Sequence, residues 1–284
     1  MRLGTHRDGD ALRAFALDGE EIVDLAAAAP SLPAAMADIL ALGDDGRRAI
    51  DAAIASGAGR RRLADIRLAA PVTPRKIFAI GLNYADHAAE ANRELPEHPP
   101  VFAKMVSCLN GPYDDIERPR VSDQLDYEAE LAIVIGKRCR HVTPEEAPGV
   151  VGGYTIANDV TVRDWQRRTP QWTLGKSFDT AGPLGPWIVT PDELGDPHAI
   201  AFRTLVNGEI RQESNTSRMH QDCWALIAEI STACTLEPGD VIETGTDAGV
   251  GAFMEPRGYV GAGDVVRIEF DGIGAIENRV VDEP

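Results

Sequence analysis

The stretch LDYEAELAIVIGK, from Leu125 to Lys137, constrains the fold more than any other part of the sequence. Side chains alternate along a β-strand, so the apolar positions from Tyr127 to Ile135 face one side while Glu128 and Glu130 face the other. The two carboxylates then stand roughly 6–7 Å apart along the backbone. Their repulsion and desolvation are costly unless a cation lies between them. The stretch therefore predicts a strand with an acidic site on one face.

A third acid, Asp159, follows the strand-like stretch VGGYTIAN and precedes a short helical stretch. With Glu128 and Glu130 it makes a candidate cage of three carboxylates, with no histidine or cysteine near them in sequence. Such a cage suits a hard cation that prefers oxygen ligands, Mg²⁺ or Mn²⁺, and suits zinc poorly. The competing interpretation is a solvated sheet face with Asp159 as a helix cap. Spacing alone leaves both interpretations open.

Three downstream polar residues are candidates for binding a substrate. Arg163 and Gln166 are three residues apart, so they share one face of a short helix and can hold a carboxylate or carbonyl group. Lys176 lies in the polar stretch TLGKSFDT, and a lysine beside a metal can stabilise an enolate. The alternative is that Arg163 pairs with an acid on the surface and that Lys176 is an exposed loop residue.

The stretch NYADHAAEAN places His87 and Glu90 three residues apart on a short helix. A carboxylate beside an imidazole raises its basicity and selects its tautomer, as a water-activating base requires. A surface contact between the two side chains is the competing interpretation.

The glycine-rich stretch ETGTDAGVG has the wrong glycine order and no lysine for a phosphate-binding loop, so we reject a dinucleotide site. It is instead interpreted as a turn that brings Thr246 close to a ligand, or as a purely structural turn.

The formal net charge of −17 argues against nucleic acid and anionic membranes as partners. An anionic substrate would therefore need a local cation. No stretch is long and apolar enough to span a bilayer, and the N-terminal sequence lacks the apolar run of a signal peptide, so we expect a cytoplasmic protein. The four cysteines form no CxxC pair, which indicates free thiols.

The chain divides into a predicted small N-terminal module, residues 1–70, and a larger domain, residues 71–284. Strand-like stretches separated by turn pairs such as Asn207-Gly208 dominate the larger domain, and MHQDCWALIAEISTACTL is the clearest helix. We therefore predict a mixed α/β fold that is predominantly β.

Six stretches, in this order, resemble the fumarylacetoacetate hydrolase superfamily over about residues 75–284: IGLNYADHAAE, DYEAELAIVIGK, YTIANDVTVRD, QWTLGKSFDTAGPLGPWIVT, VNGEIRQESNTSRM and LEPGDVIETGTDAGVG. The resemblance implies a β-roll core, a homodimer and a bound Mg²⁺ or Mn²⁺. It makes Glu128, Glu130 and Asp159 the metal ligands and Lys176 the cation beside the substrate. It further implies that Arg163, Gln166 and Thr246 contact the substrate, and that His87 and Glu90 form a water-activating pair on a lid.

One departure from the family pattern lies in the glycine-rich turn. The family usually has Gly-Thr-Pro there, whereas Asp247 follows Thr246 in this chain, so we expect a looser or more acidic turn.

The resemblance and the candidate residues together predict hydrolysis of a C–C bond in a 2,4-dioxo acid, of the acylpyruvate type, to pyruvate and a carboxylic acid. The small anionic oxo acid would chelate the metal, which supplies the missing local cation. Three alternatives keep the same metal site: an oxo-acid decarboxylase, a 2-hydroxydienoate isomerase and a ureidoglycolate-type lyase. A non-catalytic metal-binding protein is a further alternative.

Overall fold

β-Strands dominate the computed structural model, which describes residues 1–284. The strands are β1 (Arg2–Asp8), β2 (Ala11–Asp18), β3 (Glu21–Asp24), β4 (Arg60–Arg62), β5 (Arg67–Ala69), β6 (Ile77–Ile80), β7 (Val101–Lys104), β8 (Leu109–Asn110), β9 (Ile116–Arg118), β10 (Leu125–Asp126), β11 (Ala129–Ile135), β12 (Val151–Asn158), β13 (Thr161–Val162), β14 (Gly182–Val189), β15 (Ala201–Val206), β16 (Glu209–Asn215), β17 (Val241–Glu243), β18 (Val265–Phe270) and β19 (Gly274–Asp282). The prediction of a mixed, mostly β fold is confirmed.

The helices are short, with four to thirteen residues each. They are α1 (Leu25–Ala28), α2 (Met36–Ala41), α3 (Asp44–Ser56), α4 (Ala85–Glu90), α5 (Arg163–Gln166), α6 (Pro191–Leu194) and α7 (Cys223–Ala233). The sequence stretch predicted as the clearest helix forms α7. Its N-cap is Asp222, whose carboxylate accepts a hydrogen bond from the Ala225 backbone N–H and so satisfies a free donor of the first turn. No helix is long and apolar enough to cross a membrane.

Two large sheets and one short strand pair make up the β-structure. The largest sheet has twelve strands, in the order β4-β3-β2-β1-β14-β12-β11-β17-β6-β7, with β5 paired to β1 and β8 paired to β14. A five-stranded sheet has the order β16-β15-β18-β19-β9, and β10 pairs with β13. The hairpin between β15 and β16 turns at Asn207 and Gly208, whose φ angles of 53° and 82° fit a two-residue hairpin loop.

Strand β11 lies inside the largest sheet, with β12 on one side and β17 on the other. The alternation expected from its sequence is present. Leu131, Ile133 and Ile135 pack in the larger apolar core, which also contains the buried side chains of α7. Ala132 and Val134 point to the opposite face and pack in a second core with α2 and α3. Both faces of the strand are therefore buried, which explains its continuous apolar sequence.

The first seventy residues contribute strands to the largest sheet rather than forming a sheet of their own. An Asp-Gly turn lies between β2 and β3, and Gly19 has a φ of 65°. Strand β1 pairs with β14 at Arg2–Val189 and Leu3–Ile188. The N-terminal segment is thus hydrogen-bonded to the larger domain, and the boundary at residue 70 stays a prediction.

We predict that Gly136→Ala destabilises the fold by about 1–3 kcal/mol, because overpacking forces backbone shifts. A Cβ atom at Gly136 would lie 2.6 Å from the Cα and 2.8 Å from the backbone nitrogen of Gly152, next to the central strands. Urea unfolding measures the loss. The control is Gly149→Ala, because a Cβ there would meet nothing within 4 Å. Equal stability of the two variants would contradict the prediction.

Candidate active site

The pairing of β11 with β12 brings the three predicted acids together. Ala129 pairs with Asn158, so Glu128 and Asp159 face each other one position further on, and the Asp159 N–H donates to the Glu128 carbonyl at 2.9 Å. Glu130 points to the same face as Glu128. One carboxylate oxygen from each of the three acids lies within 4.8 Å of the others, and all three residues are buried. The interpretation as a solvated sheet face is therefore wrong, while the role as metal ligands stays a prediction.

Two charged residues that the sequence did not single out lie on the same face of this sheet. Lys104 comes from β7 and Glu243 from β17, and both are buried. The Lys104 Nζ donates to Asp159 Oδ1 at 2.6 Å and lies 3.6 Å from Glu243 Oε2. Their only signal in the sequence is a charge that ends an apolar strand, in VFAK and in DVIE.

Lys176 lies directly between two of the acids. Its Nζ donates to Glu128 Oε2 at 2.8 Å and to Asp159 Oδ2 at 2.5 Å, and the side chain is buried. Burial acts to lower the pKa of Lys176, but the carboxylates of Asp159 and Glu128 raise it above the ordinary value, so the ammonium group stays charged. The interpretation as an exposed loop residue is wrong.

Arg163 does pair with acids, but in the interior rather than on the surface. Its Nε donates to Asp126 Oδ2 at 2.8 Å, and its Nη1 lies 2.7 Å from Glu128 Oε1. The Nη1 also donates to Gln166 Oε1 at 3.2 Å, so the predicted pair of residues is in contact. The Nη2 is buried without a hydrogen-bond partner.

Asp126 is a further residue that the sequence did not single out. Its carboxylate accepts from Arg163 and from the backbone N–H groups of Gly251 and Ala252, each of these two at 2.8 Å. Asp126 therefore fixes Arg163 and the turn at residues 251–253 to each other.

These charged residues form one connected group, which we call the charge cluster. Its members are Asp126, Glu128, Glu130, Asp159, Glu243, Lys104, Arg163 and Lys176. Five buried carboxylates face three buried cations, so full ionisation leaves two uncompensated negative charges. Such an excess in the interior is costly.

The pKa shifts within the charge cluster show which of its carboxylates have cations beside them. Burial acts to raise the pKa of Glu128, but Lys176 and Arg163 lower it to about 2. Burial raises the pKa of Glu130 well above its ordinary value, and the neighbouring Asp159 and Glu243 raise it further. Burial likewise raises the pKa of Glu243 to about 7 against the lowering effect of Lys104. The Glu130 Oε1 atom is also buried without a hydrogen-bond partner. The cluster therefore lacks positive charge around Glu130.

A pocket of about 730 Å³ opens beside the charge cluster. Six of the nine predicted site residues line it, and they are His87, Glu128, Arg163, Gln166, Lys176 and Thr246. Glu130 and Asp159 lie next to Glu128 in the cluster, and Glu90 lies behind His87. We call this cavity the substrate pocket.

The His87–Glu90 pair is part of the pocket wall. The His87 Nδ1 lies 2.8 Å from Glu90 Oε1, and the second oxygen of Glu90 accepts from the Gly249 N–H at 3.1 Å. The imidazole packs edge-on against the ring of Phe253, with 6.1 Å between the ring centroids. The interpretation as a surface contact is wrong, because His87 is buried and its orientation is held from two sides.

The glycine-rich turn is held more firmly than its sequence suggested. Gln212 Nε2 donates to Thr246 Oγ1 and to the Asp247 carbonyl, each at 2.8 Å. The Asp247 carboxylate accepts from the Ser214 hydroxyl and from the Ala248 N–H. The Gly245 N–H donates to Glu130 Oε2 at 2.6 Å, which ties the turn to the charge cluster. The expectation of a looser turn is wrong, since Asp247 is buried and bonded.

The fold and the site define a fumarylacetoacetate hydrolase-type protein with an acidic centre beside a substrate pocket. The sequence pattern of the fumarylacetoacetate (FAA) hydrolase C-terminal family matches residues 76–281, so the chain belongs to this family, and the resemblance found in the sequence is confirmed.

Among curated proteins, the chain is similar to oxaloacetate tautomerase fahd2, mitochondrial, of Xenopus laevis. The two are 47% identical over 267 residues, which cover 93% of this chain and 84% of the relative.

Among solved structures, the chain is similar to fumarylacetoacetate hydrolase from Exiguobacterium antarcticum, at 37% identity and a TM-score of 0.86. It is also similar to maleylpyruvate hydrolase from Sphingobium sp. SYK-6 in complex with manganese (II) ion and pyruvate, at 34% identity and a TM-score of 0.84. Each of the two alignments covers 100% of both chains. The relatives are enzymes, but they do not share one reaction, so the predicted C–C hydrolysis is not confirmed.

We predict that Mn²⁺ raises the thermal unfolding temperature of the wild-type protein and that Glu130→Gln removes this rise. An ion that binds only the folded state stabilises it by about 4 kcal/mol at a concentration of 1,000 times its Kd. The amide keeps the shape of Glu130 and can still accept from the Gly245 N–H, so the metal-free variant should be no less stable than the wild type. Differential scanning calorimetry with and without Mn²⁺ measures both effects. Glu213→Gln, at an exposed position, is the control; an unchanged Mn²⁺ response in Glu130→Gln would refute the assignment.

We predict that Asp126→Asn lowers the free energy of unfolding by about 3–5 kcal/mol, because it leaves the buried Arg163 without one of its two charged partners. Chemical denaturation measures the change. Asp123→Asn removes a carboxylate that also pairs with an arginine, but whose side chain is 92% exposed. This control should change stability by no more than about 0.5 kcal/mol. Similar losses in the two variants would show that Asp126 is not a buried anchor.

Proposed function

We propose that the protein is a divalent-metal-dependent enzyme that catalyses the keto–enol tautomerisation of a 2-oxo acid of the oxaloacetate type. The observation that carries this proposal is that His87, held by Glu90, and the charge cluster line the same substrate pocket. A proton-transferring group thus faces a centre that suits a cation. The similarity to an oxaloacetate tautomerase supports this reaction over the others found among the relatives.

The proposed metal is Mg²⁺ or Mn²⁺, and Glu128, Glu130 and Asp159 would hold it. The residues fit a hard divalent ion in three respects: the donors are all carboxylate oxygens, Glu130 Oε1 lacks a partner, and the cluster has two excess negative charges. The similarity to a hydrolase solved with manganese supports the same choice. A bound divalent ion supplies Lewis-acid stabilisation for the negative charge that develops on the 2-oxo oxygen.

His87 is the proposed proton carrier. Glu90 accepts from the Nδ1 side of the ring, which leaves Nε2 as the atom that can take a proton from C3 of the oxo acid and pass it to the 2-oxo oxygen, or move it in the reverse direction. The contact between Glu90 and Gly249 holds the carboxylate in place during the transfer. Tautomerisation needs only this movement of a proton between carbon and oxygen, so no water has to enter.

Lys176, Arg163, Gln166 and Thr246 are the proposed substrate contacts. The Lys176 ammonium group donates two of its three hydrogens to Glu128 and Asp159, which leaves one for a substrate oxygen. Arg163 also lines the pocket and provides a second positive charge beside the substrate. These donors add positive charge where the enolate forms, and they are already oriented before the substrate binds. Assembly as a homodimer stays a prediction.

The second candidate function is the hydrolysis of an acylpyruvate, as the sequence suggested. The His87–Glu90 pair that moves a proton at C3 can equally activate a water that attacks the C4 carbonyl group. The specific observation in its favour is the similarity to maleylpyruvate hydrolase over the whole chain.

A single set of assays separates the two candidates. Tautomerisation is followed by the ultraviolet absorbance of enol-oxaloacetate, and hydrolysis by pyruvate released from acetylpyruvate and fumarylpyruvate, each with Mg²⁺, Mn²⁺ or excess chelator. Chelator-sensitive decay of the enol without cleavage of the acylpyruvates supports tautomerisation. Pyruvate release without tautomerisation supports the second candidate. Activity in neither assay, with Mn²⁺ shown to be bound, would overturn both.

We predict that His87→Asn lowers kcat for tautomerisation by about 10²- to 10⁴-fold, the range for loss of a positioned acid–base group. Because His87 is not among the proposed ligands, the Mn²⁺-dependent rise in unfolding temperature should persist. His98→Asn is the matched control: His98 also lies beside a glutamate, at 3.7 Å from Glu229, but its side chain is 77% exposed. A His87→Asn enzyme with full kcat would exclude the histidine as the proton carrier.

A further inference from the structure

The outer part of the substrate pocket carries two arginines whose charge the protein does not neutralise. Arg93 and Arg167 both line the pocket and are exposed to solvent. Neither guanidinium group lies within 4.0 Å of a carboxylate. The remaining cations of the pocket differ in this respect. Arg163 and Lys176 are neutralised by the charge cluster, and Arg168 stacks on Trp165 at 3.7 Å and lies 4.0 Å from Asp164.

The backbone around the two arginines is ordered by hydrogen bonds to the elements that carry site residues. The Arg93 N–H donates to the Ala88 carbonyl at 2.8 Å, which joins it to helix α4 and hence to His87. The Arg167 N–H donates to the Arg163 carbonyl at 3.1 Å, at the end of helix α5. The two side chains therefore approach the pocket from separate segments, each fixed to one side of the site.

An apolar wall completes the pocket. Phe102 and Trp172 pack edge-to-face with 5.5 Å between their centroids, and Phe253 also lines the cavity. Pockets of about 300–1,000 Å³ suit drug-sized ligands. A four-carbon oxo acid would fill only a small part of 730 Å³. The pocket thus offers a cationic outer part, an apolar wall and an acidic inner end.

We propose that Arg93 and Arg167 determine specificity by binding the distal carboxylate of a 2-oxo dicarboxylic acid longer than oxaloacetate. This inference rests on the proposed function, because the 2-oxo acid end is assigned to the charge cluster. The carbon chain of the substrate lies along Phe102 and Trp172, and the distal carboxylate makes charge-assisted hydrogen bonds to the two guanidinium groups. In a chain with a net charge of −17, these unpaired cations also attract a dianion to the pocket.

The test compares two acids of equal length that differ only in the distal group, 2-oxoadipate and 2-oxohexanoate. Enolisation of either acid is measured by NMR as the exchange of its C3 protons in D₂O. The enzyme is used with Mg²⁺, because Mn²⁺ is paramagnetic and would broaden the signals. We expect the wild-type kcat/KM to favour 2-oxoadipate. Arg93→Gln and Arg167→Gln should each reduce this preference by about three- to tenfold, mainly through KM, because each removes one partly exposed charged contact.

Arg140→Gln is the control, because Arg140 is exposed but does not line the substrate pocket, and it should keep the wild-type preference. If each variant lowers kcat/KM equally for the two acids, or if the wild type shows no preference for the dicarboxylic acid, the inference is wrong while the proposed function stands. If the wild type exchanges no C3 proton of any 2-oxo acid with the metal bound, the proposed function fails, and the inference fails with it.

Discussion

The pairing of β11 between β12 and β17 is the constraint on which the rest of the site depends. Its register sets Asp159 opposite Glu128 and brings Glu243 to the same face as Glu130. Both faces of β11 are buried, so a shift by one residue would move the acids into the larger apolar core and the apolar side chains into the site. The hydrophobic packing that stabilises the sheet therefore also holds the carboxylates together against their mutual repulsion.

The charge cluster is a costly structure for a protein to keep without a ligand. Buried ion pairs contribute little net stability, since the desolvation of each charge offsets the attraction. Here the carboxylates exceed the cations, and the raised pKa values of Glu130 and Glu243 show that these groups resist ionisation. A fold retains such an arrangement when binding compensates for it. The centre is thus ordered in advance at the expense of stability, which is the usual condition for a preorganised polar site.

The sequence predicts the strand pattern and the three acids of the site, but not all of the charged residues that contact them. Alternation along β11 shows which side chains share a face, because it depends only on the local period of two. Lys104 and Asp126 were missed because their roles depend on contacts with distant strands and turns. The sequence around Asp247 indicates a looser turn than the structure has, because the bond of Asp247 to Ser214 cannot be read from local sequence. The sequence does not decide between hydrolysis and tautomerisation, because a histidine beside an acidic centre suits both reactions.

The carboxylate of Glu90 makes two contacts, and these link the position of helix α4 to the orientation of the His87 ring. One oxygen contacts the His87 ring and the other accepts from Gly249, in the glycine-rich turn. Moving the helix away from the glycine-rich turn would break the second contact and release the carboxylate that orients the ring. The orientation of the imidazole therefore depends on a turn that is more than 150 residues away from it in the sequence.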